Sequence, residues 1–478
     1  MKKLTIAFIL MTVCLLAGCG AVALNIPGYA AGGSSDGNVI TPEGEINTTE
    51  EALKTDGTYA VDESVSGAED YMENILESAD SAFLCGYAVD EGFLSYILAK
   101  YGEDALRQLS EKASLGDPEE WYNVTGRSIH ALFNGYCLDN GITTGISQLY
   151  HKNCASSETV TMAFTGDINL ADNMGTVNYM EKNGLHLSDC FDEAALSELA
   201  GADILVVNNE CSLSTRGEPL SGKAFTFRGK PERASELLTI GTDLAGIANN
   251  HIYDYGPDAL LDTVEALNSA GIPTAGAGAN IKEASAPVYF EANGRVISVV
   301  AATQIERSYS YTKEATDTTP GVLKSLIPAK TVEAIRKAKK NSDYCIVFIH
   351  WGTEGDASFG GDQKNLAIAY KDAGADAVIG GHTHCLQGMG YIDDMPVAFS
   401  LGNFWFASTA NLPGAYDTGI AKLQIAKDGE ITLSFVPCRF SGGKVSVLTD
   451  ESAEKLIKYV SDLSYNAALD ENGVLIKK

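Results

Sequence analysis

The chain has 478 residues, with 34 Lys and Arg against 63 Asp and Glu, a formal net charge of −29 and 45% hydrophobic residues. This apolar fraction can fill one large core or two smaller ones, which excludes a chain that is disordered throughout. The acidic excess argues against nucleic acid as a partner, because phosphate binding depends on clustered Lys and Arg. An anionic substrate would therefore need another source of positive charge.

The first residues have the pattern of a secretory signal. Lys2 and Lys3 precede an uncharged run, 4–16, that is shorter than the roughly 20 residues needed to cross a bilayer. Residues 16–19 read Leu-Ala-Gly-Cys, which resembles the bacterial lipobox, where the cysteine is acylated after cleavage. We therefore expect a lipoprotein signal peptide over 1–18 and an extracytoplasmic protein anchored to the cell membrane through Cys19. The alternative is an ordinary cleaved signal with an incidental cysteine.

Two segments of different composition follow the signal. Residues 19–67 are rich in Gly, Ser, Thr, Ala and acids and lack apolar periodicity, which predicts a disordered tether. Residues 68–155 carry apolar residues at three- and four-residue spacing, which predicts a small helical accessory domain. His130 in this segment is interpreted as a helix-face residue, because no second metal-type residue shares its spacing.

From residue 158 onwards, short β-rich apolar runs alternate with helical stretches. The runs are Val160–Phe164, Ile204–Val207, Leu244–Ala248, Val296–Ala301, Cys345–Ile349, Ala377–Ile379 and Val397–Phe399. Helices are predicted over Pro257–Ala270 and Pro328–Lys340, and over Glu451–Tyr465 in a C-terminal helical tail, 443–478. The alternation predicts an α/β domain over 158–442 with buried sheets covered by helices. The cysteines are widely spaced without a Cys-x-x-Cys pair, so we expect most of them to be buried apolar residues.

Polar side chains directly follow five of these predicted strands. The polar segments are Thr165–Asn169, Asn208–Glu210, Asn249–Asp254, His350–Glu354 and Gly380–His384. In α/β sheets the carboxyl edge is where ligands bind, so these side chains are expected to converge. Carboxylates, an amide carbonyl and neutral imidazoles suit Mn, Fe or Zn, and a bridging carboxylate can hold two ions about 3.5–4 Å apart. The set predicts a site for two divalent metal ions; the alternative is a purely structural role for the polar turns.

Six motifs, in this order, resemble those of the bacterial capsule-synthesis CapA/PgsA family, the PGA_cap domain. They are Phe-Thr-Gly-Asp (164–167), Asn-Asn-Glu (208–210), Asn-Asn-His-Ile-Tyr-Asp-Tyr-Gly (249–256), His-Trp-Gly-Thr-Glu (350–354), Gly-His-Thr-His (381–384) and Ser-Leu-Gly-Asn-Phe (400–404). That family is linked to poly-γ-glutamate and belongs to the calcineurin-like metallophosphoesterase fold. The resemblance covers roughly 158–442, leaves 68–155 outside, and implies a four-layer α/β/β/α sandwich.

The resemblance also implies a role for each matched residue. The implied ligands are Asp167, Asn169 and His384 for the first ion, Asn250, His350 and His382 for the second, and Glu210 between the two. His251 would face the scissile group as general acid rather than bind metal, with Asp254 orienting it. This agrees with the residue chemistry, because Asn250 supplies a carbonyl while the adjacent imidazole stays free to move a proton.

Two positions depart from the wider metallophosphoesterase pattern. The first motif of that fold is Asp-x-His, whereas Asn169 stands two residues after Asp167. An amide carbonyl is a poorer ligand than imidazole for Zn or Fe, so the first site is expected to be weaker or differently loaded. Glu210 stands where the wider fold usually has Asp, and its longer arm is expected to alter the ion spacing.

Three further residues are candidates for substrate binding. Arg228, in Phe-Arg-Gly-Lys (227–230), resembles a basic position of the family and is a candidate clamp for carboxylate or phosphate. An exposed surface base is the alternative interpretation. Glu354 and Asn403 belong to two of the six motifs and are assigned to substrate binding with it.

The resemblance predicts a CapA-type protein that acts in the synthesis, export or anchoring of an anionic capsule polymer such as poly-γ-glutamate, as a metal-dependent hydrolase. Its expected partners are this polymer and the subunits of a membrane synthase. One alternative is a non-catalytic scaffold that binds the polyanion, which Asn169 favours. Another alternative is a secreted phosphodiesterase or nucleotidase on the same fold. The Ser-Leu-Gly-Asn-Phe segment argues against it, because that segment resembles the capsule-synthesis family.

Overall fold

The computed structural model describes residues 68–478 apart from 79–82, 85–86, 113–114, 116, 143, 145, 147, 173, 307–309, 408–413 and 415. The predicted signal peptide, the lipidation site Cys19 and the tether lie outside the described residues. In the part of the chain that is described, no helix has the length and apolar character needed to cross a membrane.

The segment 68–139 is helical. Its described helices are Ala68–Ser78, Glu91–Tyr101, Glu103–Ser110, Pro118–Thr125 and Ile129–Asp139, and a short hairpin pairs Phe83–Leu84 with Tyr87–Ala88. Asp90, Asp117 and Ser128 cap three of the helices, since each side chain accepts a hydrogen bond from a backbone N–H of the first turn. The apolar faces enclose a small core around Phe93 and Trp121.

An eight-stranded sheet carries the first three polar segments. Its strands, in spatial order, are Lys444–Val447, Ile431–Ser441, Asp417–Ala426, Thr159–Ile168, Ile204–Asn209, Leu244–Gly246 and Thr274–Ala275, with Asn403–Trp405 paired to the end of Thr159–Ile168. The strands Thr159–Ile168, Ile204–Asn209 and Leu244–Gly246 run parallel to one another. The polar residues that follow them therefore lie at one edge.

A seven-stranded sheet carries the two histidine segments. Its strands, in spatial order, are Met389–Ile392, Met395–Ala398, Ala377–Gly381, Tyr344–His350, Arg295–Thr303, Val288–Ala292 and Leu149–Lys152. Tyr344–His350 and Ala377–Gly381 are parallel neighbours, with His350 paired to Gly381. His350 and the loop that carries His382 and His384 are therefore side by side.

The two sheets stack face to face and helices cover both outer faces. Phe164 of the eight-stranded sheet and Phe348 of the seven-stranded sheet meet in the central core, with ring centroids 5.8 Å apart. The outer layers are formed by Gly175–Lys182, Leu187–Cys190, Glu193–Ala200, Pro231–Ile240 and Gly256–Ser269 on one side and Ala329–Lys340 and Gly361–Ala373 on the other. The short remaining elements are Ile281–Ala284, Ser212–Leu213 paired with Arg228–Gly229, and Ala277–Gly278 paired with Gly321–Val322. The predicted α/β class and its four-layer α/β/β/α sandwich are confirmed.

Two boundaries differ from those read in the sequence. Residues 149–152, grouped with the helical segment, form a strand that pairs with Val288–Ala292, because Tyr150 packs on Phe290 in the sheet core. The tail 443–478 contains the helix Asp450–Leu463, but also the edge strand Lys444–Val447 and a hairpin of Ala467–Leu469 with Leu475–Lys477. These strands have three or four residues, too few to give a clear period-2 pattern.

Candidate metal centre

Two groups of buried ligand-type side chains meet at the shared edge of the sheets. Glu210, His350 and His382 form one group and Asp167, Glu210 and His384 the other, with the ligand atoms of each group within 4.8 Å of one another. Glu210 belongs to both groups. The structure thus groups these carboxylates and imidazoles as the sequence analysis assigned them, with Glu210 shared between the two groups. The binding of two ions stays a prediction.

The backbone at these positions is shaped for close approach. A β-bulge precedes Asp167, and a Cβ on Gly166 would lie 2.0 Å from the carbonyl oxygen of Gly402, so only glycine allows the strands to meet there. His382 and His384 have φ values of 94° and 56°, a region that residues other than glycine seldom adopt. Such conformations cost about 1–3 kcal/mol and cluster at functional sites.

The group around His350 is tightly spaced. Its Nε2 lies 2.8 Å from Oδ1 of Asn250, 3.2 Å from Nδ1 of His382 and 3.4 Å from Oε1 of Glu210. Two ligand atoms that share an ion at about 2.1 Å lie roughly 3.0–3.4 Å from each other. These four side chains therefore fit around one metal ion.

The group around Asp167 is more open and is held by neighbouring amides. Oδ2 of Asp167 lies 3.9 Å from Nδ1 of His384, and its Oδ1 accepts a hydrogen bond of 2.7 Å from Nδ2 of Asn208. Oδ1 of Asn403 is 2.8 Å from Nδ1 of His384. The side-chain oxygen of Asn169 accepts a hydrogen bond from the Ala171 N–H, which ties it to its own loop.

Glu210 provides the test of whether these residues fit a metal. Both of its carboxylate oxygens are buried, and neither accepts a hydrogen bond from any residue that the structure describes. Burial, and then the nearby carboxylate of Asp167, raise the pKa of Glu210 well above its usual value. A buried carboxylate without a partner is costly, and a divalent cation is the partner that satisfies both oxygens at once. The donor set therefore fits a metal ion between its members.

His350 and His382 are held in the neutral form of imidazole, which is the form that binds metal. Burial lowers the pKa of His350 to about 4, and Asp167 opposes this shift. Burial, followed by the neighbouring His350 and His384, holds the pKa of His382 well below its usual value. Neutral imidazole offers a lone pair to a cation without first releasing a proton.

His251 stands beside the ligand groups with an arrangement of its own. Its Nδ1 is 2.7 Å from Oδ2 of Asp254, and its Nε2 is 4.0 Å from Oε1 of Glu210. Burial lowers the pKa of His251, an effect that Asp254 partly offsets. The N–H of Phe227 also donates to Oδ2 of Asp254, and the Phe227 ring covers the imidazole at 4.3 Å. Nε2 of His251 therefore faces Glu210, while Asp254 holds Nδ1 on the opposite side of the ring.

The candidate substrate residues lie in three different settings. Arg228 donates from Nη1 to the carbonyls of Arg216 and Gly217, at 3.2 and 2.9 Å, and stacks over the Tyr255 ring at 4.1 Å. Glu354 is exposed, yet its charge raises the pKa of Glu210. Asn403 is fully buried and contacts His384, which places it behind a ligand.

Sequence reasoning missed the residues that support the ligands. Asn208 bonds Asp167, and Nδ2 of Asn249 donates to Oδ1 of Asn208 at 3.0 Å. The signal that could have identified them is the pair of Asn-Asn sequences at 208–209 and 249–250. The first asparagine of each pair bonds the first asparagine of the other and so links the two loops. Lys223, which contacts Asp254, lies in a long loop with no motif to mark it.

The cysteines next to the ligands take no part in either group. Cys211 is fully buried and burial raises its thiol pKa to about 12, while Cys385 is buried with its Sγ near the hydroxyl of Thr383. All seven described cysteines are free and six of them are buried. They behave as small packing residues.

The part of the chain that carries these residues is similar to known bacterial capsule-synthesis proteins. The family model described as "Bacterial capsule synthesis protein PGA_cap" matches residues 161–408. The "Capsule biosynthesis protein CapA" of Bacillus anthracis is 27% identical over 324 residues, 64% of this chain and 73% of that protein. The "PGA biosynthesis protein CapA" of Bacillus subtilis (strain 168) is 31% identical over 185 residues, 38% of this chain and 48% of that protein.

Two further similarities are more limited. A "Probable polyglutamine synthesis accessory protein" of Mycobacterium tuberculosis is 31% identical over 223 residues, 44% of this chain and 57% of that protein. Among solved structures, the crystal structure of the Thermus thermophilus protein TT1561 is similar with a TM-score of 0.31 and 10% identity, over 55% of this chain and 93% of that one.

Proposed function

The chain belongs to the bacterial capsule synthesis protein PGA_cap family, and from that premise we propose that it acts in the biosynthesis of an anionic capsule polymer of the poly-γ-glutamate type, as a metal-dependent hydrolase. The names of the relatives from the two Bacillus species and M. tuberculosis support the pathway. The observation that supports the chemistry is Glu210, whose two buried oxygens accept no hydrogen bond from the described residues and which belongs to both groups of ligand-type side chains.

The proposed ions would be held by the two groups that share Glu210. The first group is Asp167, Glu210 and His384, with Asn169 beside it, and the second is Glu210, Asn250, His350 and His382. When bound, two divalent ions would supply Lewis acidity toward a phosphoryl or carbonyl oxygen and lower the pKa of water. Their positive charge answers the question raised by the acidic composition, because it is local to the site.

The remaining steps belong to side chains of this protein. In its doubly protonated form, which the Asp254 carboxylate stabilises through Nδ1–H, His251 carries a proton at Nε2 that it delivers to the leaving group, because Nε2 is directed at the site. The ring of Phe227 excludes water from one face of the imidazole. Arg228 and Glu354 are proposed to contact the polymer, while Asn403 orients His384.

The hydrolase proposal is tested by metal analysis and turnover of the purified chain from residue 20 onwards. We expect bound divalent metal, and release of products from poly-γ-glutamate or from bis(p-nitrophenyl) phosphate that depends on added Mn. His382→Ala should lose metal, and His251→Ala should keep metal and lose turnover. A wild-type protein that binds no divalent metal, or variants that lose nothing, would refute the proposal.

A second candidate is a non-catalytic scaffold that holds the polyanion near a membrane synthase. The specific observation in its favour is Asn169, whose side-chain oxygen is engaged by the Ala171 N–H. Turnover of either substrate by the purified chain would reject the scaffold. Binding of poly-γ-glutamate without turnover, with metal present, would favour it.

The cell-surface location is proposed separately, from the lipobox-like ending at Cys19. The full chain should partition with membranes in a bacterial host and carry a lipid detectable by mass spectrometry. Cys19→Ser should release it into the soluble fraction. The same distribution for both proteins would contradict the anchor and leave the hydrolase proposal untouched.

A further inference from the structure

Lys223 is a lysine with a largely buried side chain that joins three loops beside His251. It lies in the loop before strand Arg228–Gly229, and 7% of its side chain is exposed. Its Nζ is 2.5 Å from Oδ1 of Asp254 and 3.3 Å from Oε1 of Glu306, and it also donates to the carbonyl oxygen of Asn250. One ammonium group therefore connects the loops that carry Asp254, Glu306 and Lys223 itself.

We propose that Lys223 is a positioning residue for His251 and acts through Asp254, an inference that rests on the proposed hydrolase function of this site. Asp254 has no exposed surface, and a buried carboxylate is stable only with cationic or hydrogen-bonding partners. Its Oδ2 accepts from Nδ1 of His251 and from the N–H of Phe227, and its Oδ1 accepts from Lys223. Lys223 thus fixes the oxygen that does not touch the imidazole, so that the other one stays on Nδ1.

The effect is expected to be selective for His251 over the metal ligands. The carbonyl of Asn250 accepts from Lys223 and also from the hydroxyl of Thr312, at 3.1 Å. Loss of the ammonium therefore leaves one hydrogen bond on that loop. Oδ1 of Asp254, in contrast, loses the lysine that holds it. The imidazole that Asp254 supports should loosen more than His350, which Asn250 contacts.

The test compares Lys223→Met with Lys152→Met in the metal-free protein labelled with ¹⁵N-histidine. Methionine keeps the length of the lysine stem and removes the charge. Lys152 is a matched control, because it is a partly buried lysine paired with a carboxylate, that of Asp243 at 2.5 Å, outside the site. The Nδ1–H signal of His251 is assigned from its absence in His251→Gln.

In the wild type and in Lys152→Met, the Nδ1–H of His251 should exchange slowly with water. In Lys223→Met it should exchange at least about tenfold faster, with smaller changes in the signals of His350 and His382, and Lys223→Arg should restore part of the protection. Equal exchange in Lys223→Met and the wild type would overturn the proposal, as would equal acceleration in Lys152→Met. If Lys223→Met does not fold, the same comparison is made with Lys223→Gln.

Turnover separates this inference from the proposed function. With Mn and bis(p-nitrophenyl) phosphate, kcat should fall at least about tenfold in Lys223→Met while KM changes little, since a proton donor is displaced and the ligands stay. A wild type without turnover refutes the hydrolase, whereas the exchange rates still decide whether Lys223 positions His251. An active wild type with an unaltered kcat in Lys223→Met would refute the positioning role alone.

Discussion

His130 in the helical segment and His350 at the edge of the sheets are both buried, and burial lowers the pKa of both. Nδ1 of His130 meets the hydroxyl of Tyr87 at 2.8 Å, a neutral partner within its own segment. His350 instead faces another imidazole and the carboxylate of Glu210 within 3.4 Å. Burial of a histidine therefore does not identify a ligand; what surrounds its ring nitrogens does.

The carboxylates of the two regions differ in the same way. Glu291, next to the helical segment, receives two hydrogen bonds from the guanidinium of Arg127, at 2.7 and 2.9 Å. Glu210 receives none from the described residues. The buried carboxylate of Glu291 has a cationic partner within the protein, whereas that of Glu210 is placed to accept a divalent cation as its partner.

The largest expected effect is on metal binding by Glu210. Glu210→Ala removes the carboxylate common to both groups and should weaken divalent metal binding by more than about 100-fold, measured by calorimetry with Mn or Zn. Glu291→Ala is the matched control, since it removes a buried carboxylate that has a protein partner. If both variants bound metal as the wild type does, the expectation that Glu210 binds metal and Glu291 does not would be contradicted.

Replacement of His251 should affect turnover with little effect on metal. His251→Gln should lower kcat by about 10²–10⁴-fold, because general acid catalysis contributes in that range, with metal content unchanged by elemental analysis. His130→Gln, the buried histidine of the other region, should leave kcat within about twofold of the wild type. Loss of metal in His251→Gln would instead make His251 a ligand.

The pH dependence of stability tests the lowered pKa of His350. A histidine whose folded pKa lies below its unfolded value of about 6.5 stabilises the protein above that value and loses this contribution as the pH falls through the folded pKa. With a folded pKa of about 4, His350 alone corresponds to roughly 3 kcal/mol lost between pH 6.5 and 4. The raised pKa of Glu210 acts in the opposite sense, so the measurement uses denaturant unfolding of metal-free Glu210→Gln. Because the lowered pKa values of His382 and His251 act in the same sense, the comparison is with His350→Gln in the same background, and an equal loss of stability in the two proteins would contradict the expectation.

The smallest effect is expected in the helical segment. His130→Leu removes the hydrogen bond to Tyr87 and should lower the free energy of unfolding by about 1 kcal/mol, the net value of one such bond. Metal content should not change. A loss of bound metal in this variant would show that the two regions are not independent.

Much of the fold could be predicted from the sequence, because long elements have clear periodicity. The helices predicted over Pro257–Ala270 and Pro328–Lys340 form at Gly256–Ser269 and Ala329–Lys340. The alternation of apolar runs and helices gave the α/β class. The strands Leu149–Lys152 and Lys444–Val447 were missed, since four residues carry little periodicity and their pairing partners are distant in the chain.

By itself, the sequence determined which residue types follow the strands, and hence that Asp167, Glu210, His350, His382 and His384 meet at one edge. Parallel strands bring their ends together within each sheet, and the face-to-face stacking of the two sheets then brings the carboxylates of one to the imidazoles of the other. The tertiary structure alone decided that neither oxygen of Glu210 accepts a hydrogen bond from the described residues, that the amide of Asn208 holds Asp167, and that Lys223 reaches Asp254. Those contacts depend on how loops distant in sequence pack in three dimensions, which no local pattern encodes.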